Sequence, residues 1–443
     1  MALLLRDGRV ATDGGVRERD VLVEGETVAA VEGDIPAQRA GDDGRVLDCS
    51  DRLVLPGAVD VHVHFRDPGF TYKEDWTTGS SSALAGGVTT VVDQPNTEPP
   101  TVTGAAFDAK RRRAETASAV DFGIDAGVTA DWRPSELAER PVAAHGEVFL
   151  ADSTGDMGIS MELFEDALDR IYARPGHQLV TVHAEDSSLF EPLDSVDRPG
   201  VSDAWSEHRP AEAEVAAVER AIDVAGDRPL HFAHVSHPDS VDLIADTVHS
   251  CEVTPHHLLL SRDDCEDLGT YGKMNPPLRS EAARAGLMER LVDGRADCVA
   301  TDHAPHAVSE KEQPLADAPS GVPGVETMVP LLLALARRDD HPLTVERVAE
   351  ATAAAPAAIF DFDGKGVIEE GADADLAVYP DGAETRDAVD PVDPDALHSK
   401  AGWTPFAGRD AVFPDVTVRR GDIVYGRGDE HGGFALTEGR LVS

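Results

Sequence analysis

Apolar and polar residues alternate in the stretch VDVHVHFRDPG, which begins at Val59. Alternation of this kind is typical of a β-strand, in which successive side chains point to opposite faces. It predicts that His62, His64 and Arg66 share one face, while the apolar residues between them share the other. Two histidines and an arginine on one face of a strand indicate that this face binds something.

The middle of the chain, from residue 56 to about 360, alternates apolar runs of strand length with segments of helical periodicity. This order is typical of parallel α/β architecture, in which a helix connects each strand to the next. Eight such strands predict a (β/α)8 TIM-type barrel, with its functional groups at the carboxyl ends of the strands. The predicted strands are AVDVHVHF, GVTTVVDQPN, AVDFGIDAGV, HGEVFLAD, QLVTVHAED, PLHFAHVS, CEVTPHHLLL and DCVATDHAP.

The two ends of the chain read differently, as short strands separated by turn residues such as Asp-Gly and Gly-Gly. We expect residues 1–55 and 361–443 to form the two parts of one small β-sandwich beside a barrel of residues 56–360. Two independent β appendages are the alternative. This alternative is less favoured, because each end alone has little core.

The chain of 443 residues carries 83 acidic residues against 39 basic ones, a formal net charge of -44. A field of that sign repels phosphate backbones and anionic lipid headgroups, which argues against nucleic acid or a membrane surface as a partner. The acidic residues are spread through segments with apolar periodicity, which favours a folded protein adapted to high salt. A homo-oligomer is compatible with the sequence.

The four cysteines, Cys49, Cys251, Cys265 and Cys298, show no CxxC pairing, which argues against a disulfide framework or a zinc ribbon. The apolar run after Met1 is too brief for a signal peptide, and no apolar stretch is long enough to span a bilayer. These features together predict a protein of the reducing cytoplasm.

Histidines and one aspartate recur at the ends of the predicted strands. His62 and His64 end the first strand, His183 the fifth and His234 the sixth, and Asp302 ends the eighth. Imidazole and carboxylate groups that converge at the mouth of a barrel are suitable ligands for a borderline divalent metal such as zinc. The sequence therefore predicts a metal centre.

Two segments, DVHVHFRDP and ATDHAPHAVSEK, resemble the signature motifs of the dihydroorotases, within the amidohydrolase superfamily of metal-dependent barrel enzymes. DQPNTEPPTV, KMNPPLR and SGVPGVETMVPLLL resemble further family segments in the expected order, so the resemblance covers essentially the whole chain. It implies the reversible cyclisation of N-carbamoyl-L-aspartate to L-dihydroorotate, a step of pyrimidine biosynthesis.

The resemblance also implies a centre with two zinc ions. His62, His64 and Asp302 would hold one ion, and His183 and His234 the other. Together the ions would lower the pKa of a shared water molecule and polarise the amide carbonyl. Asp302 would also carry a proton from that water to the leaving nitrogen.

The ligand that would bridge the two ions departs from a common family pattern. Many relatives use a carboxylated lysine on the fourth strand, but HGEVFLADSTG contains no lysine. Asp152, three residues after a phenylalanine, matches the bridging aspartate of another dihydroorotase branch and is favoured. Glu147, at the position of the missing lysine, is the alternative. Either residue could instead be a solvated acid.

The substrate side of the site follows from Arg66, whose guanidinium is suited to bidentate capture of a carboxylate. The resemblance implies that Asn96 and His306 would bind the same carboxylate. The residues that would contact the pyrimidine ring are Asn275, Ser320 and Gly321. Ser320 departs from the apolar residue that the closest branch would have there.

Histidines near these motifs need not all be ligands. His256 and His257 in TPHHLLL lie at the end of the predicted seventh strand. We expect them to make structural hydrogen bonds or to support the ligands.

Two other functions are compatible with the sequence. An allantoinase or a dihydropyrimidinase would share the fold, but the substrates of these enzymes need no carboxylate beside the ring, so Arg66 and His306 argue against them. An inactive homologue that serves as a scaffold for aspartate transcarbamoylase would have lost metal ligands. This chain keeps the four histidines and Asp302.

Overall fold

A computed structural model describes residues 2–150, 157–193, 201–382, 389–428, 433–435 and 438–443 of the chain. Its strands are β1 (Ala2–Thr12), β2 (Gly15–Glu24), β3 (Thr27–Glu32), β4 (Arg45–Asp48), β5 (Arg52–Pro56), β6 (Ala58–Val63), β7 (Val88–Asp93), β8 (Asp121–Ile124), β9 (Ala144–Phe149), β10 (Leu179–His183), β11 (Leu230–Phe232), β12 (Ser250–Val253), β13 (Cys298–Val299), β14 (Leu376–Pro380), β15 (Asp390–Pro391), β16 (Asp410–Ala411), β17 (Val416–Arg419), β18 (Asp422–Gly426) and β19 (Gly433–Phe434).

Its α-helices are α1 (Trp76–Ala85), α2 (Gly104–Ala117), α3 (Pro134–Leu137), α4 (Met161–Tyr172), α5 (Ser202–His208), α6 (Ala211–Ala225), α7 (Pro238–Ile244), α8 (Pro255–Leu259), α9 (Cys265–Leu268), α10 (Glu281–Val292), α11 (Val308–Lys311), α12 (Met328–Ala336), α13 (Val345–Ala349) and α14 (Ala355–Ile359).

The strands β6 to β13 form the predicted barrel. β6, β7 and β8 pair in parallel, and so do β9 to β13 in chain order. Two parallel bridges join these groups, one between Ala126 and His145 and one between Val63 and His303. The eight strands thus close on themselves, and the prediction of a (β/α)8 barrel is confirmed.

The barrel strands are apolar runs because both of their faces are covered. Every residue of β6, β7 and β9 is buried, as expected of parallel strands between helices and a filled barrel interior. Helix α4 is amphipathic, with Phe164, Ala167, Leu168 and Ile171 on its buried face. In α4, the Ser160 hydroxyl caps the first turn by accepting a hydrogen bond from the Leu163 amide (3.2 Å).

Both ends of the chain contribute to one further sheet of nine strands. β1 to β5 come from the first part and β14, β17, β18 and β19 from the last, and the two parts meet where β5 pairs antiparallel with β14. One apolar cluster packs Leu3 and Val21 together with Leu376 and Val418. The expectation of one small β-sandwich built from both ends of the chain is therefore confirmed. The domain limits at 55/56 and 360/361 stay a prediction.

The predicted seventh strand is shorter than the apolar run that suggested it. β12 ends at Val253, and α8 begins at Pro255. The reason is local: proline has no N–H and suits the first helical position, and the Thr254 hydroxyl accepts a hydrogen bond from the His257 amide (3.3 Å). His256 and His257 consequently lie on a helix, not on the strand.

The four cysteines are buried and free. Among the residues that the structure describes, no helix combines the length and the apolar character needed to cross a membrane.

Candidate metal centre and substrate pocket

The carboxyl ends of the barrel strands bring together the polar residues singled out in the sequence. β6 carries His62, β9 carries Glu147 and β10 ends at His183. His234 and Asp302 lie in the turns directly after β11 and β13. All five side chains are buried, so their polar atoms must find partners within this cluster.

A pocket at this end of the barrel is lined almost wholly by predicted site residues. These are His64, Arg66, Asn96, Glu147, His183, His234, Asn275, Asp302, Ser320 and Gly321. Phe149 and Ala304 complete the lining. His62 and His306 are not part of this lining but contact it. His62 faces Asp302, and His306 faces Arg66 and Ser320. Asp152 lies outside the described residues.

The first group of ligand atoms comes from His62, His64 and Asp302. His64 Nε2 lies 2.9 Å and His62 Nε2 lies 3.6 Å from Asp302 Oδ1. One nitrogen or oxygen from each of the three residues falls within 4.8 Å of the others, which is close enough for all three to bind one ion.

The second group is centred on Glu147. Its Oε1 lies 2.6 Å from His234 Nε2 and 3.1 Å from His183 Nδ1, and its Oε2 lies 3.5 Å from His62 Nε2. His62, Glu147 and His234 form a second set whose ligand atoms lie within 4.8 Å of one another. Glu147 therefore touches histidines of both groups.

Oxygen atoms behind the histidines orient three of the imidazole rings. Each of these oxygens can only accept, so the ring nitrogen that faces it carries the proton. The three pairs are His62 Nδ1 with Glu252 Oε1 (2.6 Å), His64 Nδ1 with Asn96 Oδ1 (2.7 Å) and His183 Nε2 with Glu185 Oε2 (2.9 Å). The second nitrogen of each neutral ring is then a lone pair that points into the cluster.

A proton or a metal ion would satisfy these converging lone pairs. His64 Nε2 and Asp302 Oδ1 are both acceptors in this arrangement, yet they lie 2.9 Å apart. His62 Nε2 is buried and has no hydrogen-bond partner among the described residues. Converging lone pairs backed by carboxylates are the usual environment of a metal ion, and the donor set of nitrogen and carboxylate oxygen suits zinc.

Charge within the cluster leads to the same conclusion. Burial raises the pKa of the Glu147 carboxyl, but His234, His62 and His183 outweigh burial, so the pKa lies well below its usual value. Burial lowers the pKa of His62, but Glu252 and Glu147 outweigh it, so this pKa lies well above its usual value. The cluster thus favours bound positive charge, as a proton or a metal ion.

Backbone strain is concentrated at the same place. Arg66, His234 and Asp302 have φ values of 62°, 38° and 46°, in the left-handed region that residues with a Cβ rarely adopt. Each such conformation costs roughly 1–2 kcal/mol. The cost is consistent with a site that fixes the direction of these three side chains.

The substrate side of the pocket is built on Arg66. Its side chain is buried, and its Nε has no hydrogen-bond partner in the part of the chain that the structure describes. Elsewhere in the pocket lining, Asn275 Oδ1 accepts hydrogen bonds from Trp205 Nε1 (2.8 Å) and Ser320 Oγ (3.1 Å). The oxygen of Asn275 is thus occupied within the protein, which leaves its amide N–H groups as donors.

Two archaeal dihydroorotases are similar to this chain over nearly its whole length. The dihydroorotase of Halobacterium salinarum is 52% identical over 426 residues, which cover 95% of this chain and 96% of that protein. The one from Methanosarcina acetivorans is 42% identical over 438 residues, which cover 95% and 91%. This chain belongs to the dihydroorotase family.

Two further comparisons relate this dihydroorotase family member to the amidohydrolases and to the hydantoinases. A sequence profile described as "Amidohydrolase family" matches residues 53–146. The solved structure of an L-hydantoinase (dihydropyrimidinase) from Arthrobacter aurescens has a TM-score of 0.89 and 28% identity, covering 100% of this chain and 99% of that one. The prediction of a metal-dependent hydrolase that acts on cyclic amides is confirmed. The dihydropyrimidinase alternative is less well supported, because the identity to dihydroorotases is higher.

Several residues of this dihydroorotase site were not predicted from the sequence. Glu252 accepts from His62 and from His231 Nε2 (3.2 Å), and Glu185 pairs with both His183 and Arg209. For Glu252 a signal was present, because it is an acidic residue between apolar neighbours in the strand segment CEV. An unpaired carboxylate cannot be buried at low cost, so such an acid indicates a partner. Glu185 follows the end of β10 among other polar residues and gave no such signal.

The two histidines of α8 differ in their contacts. His257 makes structural hydrogen bonds, with Nδ1 2.9 Å from Thr254 Oγ1 and Nε2 2.9 Å from the Pro276 carbonyl. His256 is buried beside it, and its Nε2 has no hydrogen-bond partner within the described ranges. Burial lowers the pKa of His256 to about 4. It is therefore a neutral ring near neutral pH.

Proposed function

We propose that this enzyme interconverts N-carbamoyl-L-aspartate and L-dihydroorotate with two zinc ions bound at the mouth of its barrel. The observation that carries the proposal is the array of converging imidazole lone pairs beside the buried guanidinium of Arg66. Such a pair of subsites suits a cyclic amide that carries a carboxylate. The membership in the dihydroorotase family supports the same substrate.

In this proposal, His62, His64 and Asp302 would hold one ion, and His183 and His234 would hold the other. When bound, the ions lower the pKa of water and act as Lewis acids toward the amide carbonyl. Glu252, Asn96 and Glu185 keep the histidine rings in the tautomers that this requires.

For the bridging ligand we propose Glu147. The support is its position, since its two oxygens face His234 on one side and His62 on the other. The side chain of Glu147 is shorter than a carboxylated lysine. Its carboxylate nevertheless lies within 3.5 Å of a histidine from each of the two ligand groups. Asp152, which the sequence favoured, stays the alternative.

Arg66 and His306 would bind the substrate carboxylate, and Asn96 would assist through its amide N–H groups because its oxygen is engaged by His64. Asn275, Ser320 and Gly321 would contact the ring. In the hydrolytic direction, water adds to the ring carbonyl carbon and the C–N bond breaks. Asp302 takes the proton of that water and gives it to the leaving nitrogen, and ring closure is the reverse.

The test is a metal count by mass spectrometry in high salt, together with an absorbance assay of dihydroorotate hydrolysis, on wild type, Glu147→Gln and Asp152→Asn. We expect about two metal ions per chain in the wild type and a loss of metal and activity in Glu147→Gln. Glu139→Gln, at an exposed acid, is the control.

Each result leads to a distinct conclusion. A loss confined to Asp152→Asn would keep the function and assign the bridge to Asp152. Metal without hydrolysis of dihydroorotate would direct the assay to allantoin and dihydrouracil. A protein with neither metal nor activity would contradict the proposal and favour the scaffold alternative.

A further inference from the structure

Lys73, in the loop between β6 and α1, contacts His306 of the proposed carboxylate subsite. Its Nζ lies 3.1 Å from His306 Nδ1 and 3.0 Å from Glu310 Oε1. The side chain is only 12% exposed. A lysine held this close to a buried histidine limits the states that the ring can adopt.

Two partners determine which nitrogen of His306 carries the proton. The ammonium of Lys73 can only donate, so Nδ1 must accept with its lone pair. The carbonyl oxygen of Ser320 can only accept, and it lies 2.9 Å from Nε2, so Nε2 must carry the hydrogen. Both contacts select the same neutral ring, protonated at Nε2. Arg66 Nη2 can only donate and would favour a lone pair there, but it lies farther from Nε2 (3.3 Å) than the Ser320 carbonyl does.

This tautomer suits the binding of a carboxylate. Arg66 Nη2 lies 3.3 Å from His306 Nε2, so two donors stand next to each other. A bound carboxylate would accept from both, sharing the Nε2–H that donates to the Ser320 carbonyl. Burial, together with Arg66 and Lys73, holds the pKa of His306 well below its usual value, so the ring stays neutral near neutral pH. With the other tautomer, Nε2 would instead direct a lone pair toward the carboxylate and repel it.

We propose that Lys73 is a positioning residue for substrate recognition: by donating to His306 Nδ1 it fixes the Nε2–H tautomer that binds the substrate carboxylate beside Arg66. This inference rests on the proposed function, because it takes dihydroorotate as the substrate. Glu310 supports it by balancing the ammonium charge of Lys73.

The experiment compares the steady-state kinetics of dihydroorotate hydrolysis in wild type, Lys73→Met and Lys73→Arg in high salt. We expect Lys73→Met to raise KM about tenfold, as the loss of one ordered hydrogen bond at the subsite predicts, with kcat changed less than about twofold. Lys73→Arg retains a cationic donor and should recover most of the affinity.

Lys400→Met is the matched control, because Lys400 binds the Thr71 carbonyl of the same loop (2.8 Å) and Asp75, and does not contact His306. Competitive inhibition adds a second measurement. Lys73→Met should weaken binding of orotate, which carries the carboxylate, and leave binding of uracil unchanged. Thermal unfolding confirms that each variant is folded, and Lys73→Gln replaces Lys73→Met if that variant does not fold.

Three results would overturn the inference: an unchanged KM in Lys73→Met, an equal loss for orotate and uracil, or a loss that Lys73→Arg does not recover. None of these concerns the reaction itself. A wild-type enzyme that binds metal but does not hydrolyse dihydroorotate would instead overturn the proposed function, so the two failures are distinguishable.

Discussion

At the scale of single residues, the site depends on side chains that hold other side chains. Glu252 is buried on β12 and accepts hydrogen bonds from His62 Nδ1, from His231 Nε2 and from the His234 amide (3.1 Å). It therefore orients one histidine of each proposed metal group. Burial raises the pKa of Glu252, but His62 and His231 outweigh it and keep the carboxyl ionised.

The substitution Glu252→Gln tests this role. The amide keeps the shape of the carboxylate but removes its charge, and it offers a donor where His62 now donates. We expect the affinity for zinc to fall by about 10–100-fold, as is typical for partners of metal ligands. Zinc competition with a chelator measures this loss, and Glu326→Gln, in a carboxylate–histidine pair with His398 outside the pocket, is the control. Equal zinc affinity in wild type and Glu252→Gln would contradict the role.

The sequence predicted the inner residues of the site better than their supports. The alternation VHVH predicted His62 and His64, although β6 ends at Val63 and His64 follows it. Asp302 was predicted at a strand end and lies shortly after β13. Glu252 lies on β12, and its contact with His62 of β6 depends on how these two strands are placed across the barrel. That placement depends on packing over the whole chain, so the residue pattern of a single strand does not reveal it.

At the scale of elements, two buried lysines hold the loop that carries Ser320 and Gly321. Lys311 Nζ donates to the carbonyls of Lys273 (3.0 Å), Pro319 (3.0 Å) and Gly321 (3.1 Å). Lys273 Nζ donates to the carbonyls of Leu315 (2.7 Å) and Ala318 (2.6 Å). Burial lowers the pKa of Lys311 to about 7. The three carbonyls take the place of water around the ammonium but compensate only in part for its lost hydration.

We expect Lys311→Met to destabilise this loop. The Lys273 carbonyl would keep the Gly321 amide as a donor (3.0 Å), but the carbonyls of Pro319 and Gly321 would lose the lysine. Leaving two such acceptors without this donor costs about 2–4 kcal/mol. Calorimetry in molar salt measures the lower melting temperature, with Lys400→Met as the control. An equal melting temperature in wild type and Lys311→Met would show that the loop does not need the lysine.

The elements themselves were largely predictable from the sequence. Apolar runs of strand length between helical segments gave the barrel, because parallel strands buried on both faces have this pattern. The prediction was wrong where one apolar run contained two elements: Pro255 starts α8 within CEVTPHHLLL. Residues 151–156, which include Asp152, lie outside the described structure.

At the scale of the whole molecule, a buried charge cluster joins the barrel to the sheet built from the chain ends. Lys365 Nζ lies 2.5 Å from Asp121 of β8 and 2.7 Å from Asp375, which directly precedes β14. Arg420 also pairs with Asp121 (2.7 Å). Salt screens such buried pairs only weakly, so this connection should hold across a wide range of ionic strength.

The surface should behave in the opposite way. The formal net charge of -44 makes surface self-repulsion large, and the Debye length falls from about 10 Å at 0.1 M salt to about 3 Å at 1 M. We therefore expect the melting temperature to rise steadily with KCl between these concentrations. Parallel titrations with NaCl and with sucrose separate screening from ion-specific effects and from preferential exclusion. If screening is the cause, the two salts should act alike, and sucrose should not reproduce the full rise. Equal stability at 0.1 M and 1 M salt would contradict the adaptation to high salt.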